Sequence, residues 1–307
     1  MREESRIDME HARMLLKKKV NSRMSAPGDY EVGIPGVRLF RRDQAQKTEA
    51  CLYTPVIIKI VQGVKRAVMG SGEYSYGENE VLVSGVDMPG TSMVVEASPD
   101  VPCTGITVDL DKNLIAQLAP EIPHKVYSIG SVAKGILVQP LEADILDAFL
   151  RLAELLDKSD RISVFAPMII REIHYLLLDG PSGHWLRSFH MLGSQSNQIA
   201  QAIFWLKQNL AATVQIEDLA ARVNMAPSTF HRYFKEVTAM SPIQFQKRLR
   251  LHEAQRLMLL NDLDAGSACL AVGYESSSQF NREYKRLFGE PPLRNIKKLR
   301  EEVITSA

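Results

Sequence analysis

The stretch Ser228-Thr229-Phe230-His231-Arg232-Tyr233-Phe234-Lys235 reads S-x-F-x-R-x-[FY]-K, and Ser278-Gln279-Phe280-Asn281-Arg282-Glu283-Tyr284-Lys285 repeats it. The offset is fifty residues, Phe234 against Tyr284, and it persists downstream, where Pro292 matches Pro242. In the first copy Phe230, Tyr233, Phe234 and Val237 fall at i, i+3, i+4 and i+7, one side of a helix. In the second, Phe280, Tyr284 and Leu287 do the same. Shorter helical patterns precede both copies. One runs over 216–223, with Ile216, Leu219, Ala220 and Val223 inward. The other is capped by Asp264, extends to Val272 and turns at Gly273-Tyr274. A helix over 242–260, opened by Ser241-Pro242, joins the two units, and another is expected over about 197–210.

Short helix, tight turn, second helix is the helix-turn-helix unit, whose second helix enters the major groove of DNA. Two such heads on one rigid helix point to a long, negatively charged partner, double-stranded DNA. A separation near one DNA turn, roughly 34 Å, would place both in successive major grooves. With the apolar stripes inward, the candidate contacts are Ser228, Thr229, His231, Arg232 and Lys235 in the first head. In the second they are Ser277, Ser278, Gln279, Arg282, Lys285 and Arg286. Arginine pairs bidentately with guanine, glutamine with adenine, and serine with several acceptors. Lys235, Lys285 and Arg286 lie farther along their helices, where phosphates are the natural partners.

The charge is distributed accordingly. The chain has 307 residues and a net charge of +1, but residues 197–307 carry fifteen Lys and Arg against eleven Asp and Glu. The remainder is net acidic. A basic domain beside a mildly acidic one fits nucleic-acid binding in the former. Three cysteines, Cys51, Cys103 and Cys269, make neither a metal pattern nor a disulfide framework. The charged stretch from Met1 to Asn21 lacks the apolar segment of a signal peptide. No run reaches the roughly 18 apolar residues of a membrane span. The expectation is a cytoplasmic protein without a membrane partner.

The N-terminal part has a different texture. Residues 8–22 form a short basic helix containing Lys17-Lys18-Lys19, read as a solvated face. Strands are expected over Val56–Val61, Val64–Met69, Val81–Val83, Ser92–Glu96 and Thr104–Leu110, punctuated by Gly and Pro turns, which indicates a small barrel or sandwich. Asp111 caps a helix ending at Leu118, and residues 135–138 make a last strand. Two amphipathic helices occupy 141–178, the second started or kinked by Pro167. They fit either packing on the barrel or a dimer seam. Residues 184–196 read as a connector.

Catalysis has little support. The strands contain no histidine to ligate a metal, and His124 and His174 are isolated. No phosphate loop or nucleophile elbow appears. No cofactor and no catalytic or metal site is expected. A binding cavity is the better reading, lined by residues such as Tyr53, Tyr74, Tyr76, Met69, Met88 and Met93. Cys51 and Cys103, at the barrel's two ends, leave a thiol-based stress sensor open as an alternative. A barrel enzyme fused to a DNA-binding domain is a further one.

Residues from about 197 to 300 resemble the DNA-binding domain of the AraC-type transcription regulators. The matching motifs are Leu219-Ala220 with Val223, Phe234-Lys235, Ser241-Pro242, Arg250-Leu251 with Ala254 and Leu257, Val272-Gly273-Tyr274, and Phe280, Arg282, Tyr284-Lys285, Gly289 and Pro292. The resemblance places base reading on Ser228, His231, Arg232, Ser277, Ser278, Gln279 and Arg282. Residues of about 30–185 resemble the N-terminal half of a subgroup, through Ile34-Pro35-Gly36-Val37, Val61-Gln62-Gly63, Val94 to Pro99 and Ala166-Pro167-Met168-Ile169. That half is a cupin-like barrel with trailing helices, which implies a small-molecule effector, homodimerisation and contact with RNA polymerase. The fold class is therefore α+β: a cupin-like β-barrel with trailing helices, then an all-α domain of two helix-turn-helix units joined by a long helix. The expected organisation is a helical arm over 1–29, an effector-sensing domain and dimerisation candidate over 30–192, and the DNA-binding domain over 193–307. Effector contacts are expected at Cys51, Tyr53, Met69 and Cys103. Ala226 replaces the family's usual serine cap. Gly266, Ala268 and Cys269 depart from its usual short helix, so the second head is expected to be looser and the first to dominate affinity.

Overall fold

The computed structural model of the chain describes residues 2–45, 48–122, 134–191 and 193–305. It opens on α1 (Arg2–Asn21) and continues through β1 (Gly28–Glu31), β2 (Val37–Arg42), β3 (Glu49–Tyr53), β4 (Val56–Gln62), β5 (Val64–Met69), β6 (Gly72–Tyr76), β7 (Glu80–Ser84), β8 (Met88–Glu96) and β9 (Cys103–Asp109). After α2 (Lys112–Leu118) comes β10 (Ile136–Pro140). The strands make two antiparallel sheets, in the orders β1-β2-β9-β4-β7-β10 and β3-β8-β5-β6. Side-chain alternation sends Phe40, Ile58, Ile60, Leu82 and Cys103 of the first sheet toward Tyr53, Ala67, Met69, Tyr76 and Val94 of the second. The outer face of the first sheet, with Val37, Leu39, Ile57, Val81 and Val108, packs under helices. Buried on both faces, β4 is apolar along its length rather than alternating.

Lys59 is the exception within β4. Its Nζ is buried and donates to the carbonyls of Ile60 at 2.7 Å and Glu78 at 2.6 Å. Desolvation, with Arg13 nearby, pulls its ammonium down to about 7.

The helix expected as an N-terminal arm, α1, packs into the core beneath the first sheet. Leu16, Val20 and Met24 are buried in the cluster beneath the first sheet. Lys19 and Arg23 both bind Asp157, so part of the basic run is consumed structurally. Then come α3 (Ala143–Leu155), α4 (Ile162–Asp179) and α5 (Gly183–Ser188). Pro167 lies inside α4 and does not start it. The inner faces of α3 and α4 pack on the barrel, while Val164, Phe165, Met168 and Tyr175 of α4 remain exposed. The connector is not a loose linker, because it contains α5 and buries Leu186 and Phe189.

The rest is helical: α6 (Gln195–Gln208), α7 (Ile216–Arg222), α8 (Pro227–Thr238), α9 (Pro242–Leu260), α10 (Ala265–Ala271), α11 (Ser277–Phe288) and α12 (Pro292–Thr305). From α7 to α10 the offset is forty-nine residues, and from α8 to α11 it is fifty, so the second turn is one residue longer. The helix α12 extends the repeat, since Pro292 opens it as Pro242 opens α9. Ile199, Ile203, Leu219, Phe230, Phe234 and Phe245 join the cluster that fills the barrel interior, whereas the second head has its own core around Phe280 and Tyr284. Among the described residues no helix is long and apolar enough to cross a membrane.

Candidate nucleic-acid interface

The recognition helices are held from behind by aromatic contacts. Phe234 stacks against Phe230 at 5.4 Å and edge-on against Phe245 of α9 at 5.3 Å. In the second head Phe280 meets Tyr274 at 5.4 Å and Tyr284 at 5.5 Å. With these faces fixed, Ser228, His231, Arg232 and Lys235 of α8 are exposed and Thr229 is half-buried. Ser277, Ser278, Gln279, Arg282, Lys285 and Arg286 of α11 are likewise exposed.

The cations divide into two groups. Lys247 pairs with Glu283 at 2.7 Å, Arg256 with Glu253 at 2.8 Å, and Arg300 with Asp262. Arg250 donates to three carbonyls: Leu210 at 2.7 Å, Gly273 at 3.0 Å and Ala212 at 3.0 Å. In contrast, Arg232, Lys235, Arg282, Lys285 and Arg286 form no ion pair with any described residue. Arg232 only covers the ring of its neighbour Tyr233, at 4.6 Å. Unpaired, solvated cations on both recognition helices are free to neutralise phosphate or read guanine.

Arg250 also fixes the geometry between heads. It ties the loop after α6 to Gly273 in the turn of the second head. Gly273 has φ of +83°, and a Cβ there would lie 2.6 Å from the Cα of Ala211, so only glycine fits. Gln279, a candidate base reader, donates to Glu283 at 3.1 Å. Burial raises the Glu283 carboxyl, but donors Lys247, Tyr274 and Gln279 outweigh it and hold the group below its ordinary value. Reading a base through Gln279 would require drawing it away from a charged acceptor.

End-capping runs against the expectation of a looser second head. Ala226 caps α8 with no side-chain bond, as its identity dictates. By contrast Ser276 accepts from the Gln279 amide, and Asp264 accepts from those of Gly266 and Ser267. The glycine in α10 is thus offset by a strong cap. Ala268 and Cys269 are simply core.

In the barrel, Cys51, Tyr53, Met69 and Cys103 do converge on the interior. Tyr53 and Tyr76 meet through their hydroxyls at 3.3 Å. Met93 does not take part, since it pairs in register with Arg66 and accepts from Thr48 Oγ1. Lys65 was not among the expected cavity residues, yet its Nζ lies over the Phe40 ring at 4.8 Å. Its parity with Ala67 and Met69 along β5 was the available signal. Burial pushes the Cys51 thiol up to about 12 and raises Cys103 as well, so neither is a ready thiolate. His174 is a satisfied core residue, accepting the Asp111 amide at Nε2 and donating from Nδ1 to the Ile170 carbonyl. His124 lies outside the described residues. Among the described residues no group of three His, Cys, Asp or Glu is placed to hold a metal.

Residues 33–185 match the family described as the AraC-type transcriptional regulator N-terminus, and residues 219–297 match a helix-turn-helix domain. The chain belongs to the AraC-type transcription regulators. Similar proteins include the regulator YobQ of Bacillus subtilis, 25% identical over 64% of this chain and 81% of YobQ. The transcriptional activator RhaS of Pectobacterium carotovorum is 31% identical over 36% of this chain, a match spanning only 40% of RhaS. The fold is shared with ToxT of Vibrio cholerae, with a TM-score of 0.56 at 11% identity, covering 85% of this chain and 96% of ToxT. As an AraC-type regulator the protein binds double-stranded DNA through its helix-turn-helix domain, and the curated relatives it matches are transcription regulators.

Proposed function

We propose that the chain is a one-component, effector-responsive regulator whose two heads read successive major grooves of one operator. The observation that carries this reading is the set of five exposed, unpaired cations, Arg232, Lys235, Arg282, Lys285 and Arg286, on two matched helices. Ser228, His231, Arg232, Ser277, Ser278, Gln279 and Arg282 read bases. Thr229, Lys235, Lys285 and Arg286 contact the backbone. The domain from about 193 onward does this work, and the domain before it senses the signal in the cytoplasm.

The effector binds inside the barrel, against Cys51, Tyr53, Met69 and Cys103, with Lys65 as an added polar contact. Three contacts carry its presence to the first head. Gly135 donates to the Val237 carbonyl at the end of α8. The β5–β6 turn abuts Ala239. Asp87 pairs with Lys207 of α6 at 2.6 Å. An effector that prefers one placement of barrel and head shifts the population toward it. The exposed α4 face joins two copies into a homodimer, and the DNA-bound form contacts RNA polymerase. Burial of both barrel thiols argues against the thiol-sensor alternative.

Selection of bound sites from randomised duplexes tests the reading. It should return a bipartite motif for the parent chain. Arg232→Ala should relax one half and Arg282→Ala the other. A motif with one half only, unchanged in one variant, would overturn it.

A further inference from the structure

A cleft of about 550 Å³ opens where the sensor meets the first head. Its walls come from segments far apart in sequence: Gly85 at the barrel, Lys112 on α2, His190 in the connector, and α6 with α7. Phe204 and Trp205 of α6 give it an aromatic side. Phe204 is 55% exposed, whereas Ile199, Ala202, Ile203 and Leu206 of the same helix are buried. Lys112 lies over the Phe204 ring at 5.8 Å, and Arg222 over the Trp205 ring at 4.8 Å. Neither cation is ion-paired with any described residue, and no carboxylate is among the described residues that line the cleft. His190 adds a buried ring nitrogen, Nε2, with no hydrogen-bond partner. Burial, reinforced by Lys112, pushes that imidazole down to about 4, so it stands neutral. An unmet buried polar atom is a standing cost that a ligand can relieve.

We propose that this cleft is a ligand site, separate from the barrel interior, for a carboxylic acid with an apolar, aromatic-compatible body. The body lies against Phe204 and Trp205, and the carboxylate answers the unpaired Lys112 and Arg222. Its volume falls in the range of small-molecule sites. Because the walls belong to both domains, an occupant fastens the sensor to α6 and α7, next to the first recognition helix. It therefore acts as a second input on the placement of that head.

Trp185→Phe leaves Trp205 as the only tryptophan, a fluorophore inside the site. The full chain carrying that change is titrated with phenylbutanoate and with its neutral twin, phenylbutanol. The acid should quench Trp205 saturably and bind at least about tenfold more tightly than the alcohol. Adding Lys112→Gln and Arg222→Gln, both at exposed positions, should weaken the acid at least about tenfold and leave the alcohol unchanged. Absence of saturable quenching, equal affinity for acid and alcohol, or parent-like acid binding in the doubly neutralised chain would each overturn the proposal.

Discussion

The backbone N–H of Gly135 meets the carbonyl oxygen of Val237 at 2.8 Å, so the residue just before β10 is bonded to the last turn of the first recognition helix. Beside it, Gly70 packs so closely on Ala239 that an added Cβ would lie 2.3 Å from the Ala239 carbonyl oxygen. Gly70→Ala should therefore push the barrel off the head. Hydrogen exchange at the C-terminal amides of α8 should rise about fivefold if some 1 kcal/mol of local stability is lost. Unchanged exchange there would show that the contact carries no coupling.

Arg250 holds three carbonyls with one guanidinium. Arg250→Ala should destabilise the DNA-binding domain by about 2–3 kcal/mol, since hydrogen bonds to charged groups are strong and their acceptors would be left unmet. Arg250→Lys, which lacks the planar fork, should recover only part of this. Urea unfolding of both variants measures it. A loss below about 0.5 kcal/mol would mean the tie between heads is incidental.

Lys59 predicts a specific pH dependence. Its ammonium is lowered to about 7 in the native chain from an ordinary 10.5. Between those values the unfolded chain keeps the proton and the native one releases it, so native stability rises with pH through this window. For one proton the slope approaches about 1.4 kcal/mol per pH unit. Below pH 7 both states are protonated and the contribution is flat. Unfolding of the parent and Lys59→Met at pH 7, 8 and 9 should show the parent gaining stability relative to the variant as pH rises. Parallel curves would contradict the account of the buried lysine.

With its thiol raised to about 12 by burial, Cys51 stays protonated at pH 8. Cys51→Ser and Cys103→Ser should leave DNA affinity unchanged, and both thiols should react with iodoacetamide far faster in the unfolded chain. Rapid native labelling accompanied by loss of DNA binding would restore the thiol-sensor reading.

Much of the fold was legible because the physics is local. The stripe Phe230, Phe234 and Val237 could only be a helix face, and β5 was bounded by glycines on both sides. Strands β1, β2, β3 and β6 were missed because residues such as Glu49, Arg38 and Glu73 dilute the apolar alternation, and β1, β3 and β6 are sheet edges. The helix α12 was missed although the repeat announced it, Pro292 standing where Pro242 opens a helix. The outward positions of the recognition helices could be read from periodicity. Contacts between segments far apart could not: nothing local to Gly135 and Val237, or to Lys112 and Phe204, says that they meet.

Two matched heads that bind one duplex together leave a bipartite imprint on it. Hydroxyl-radical footprinting of the full chain on a selected site tests this most directly. Two protected patches are expected on one face of the duplex, about one helical turn apart, with Arg232→Ala weakening one patch and Arg282→Ala the other. A single protected patch, untouched by one of the two substitutions, would contradict it.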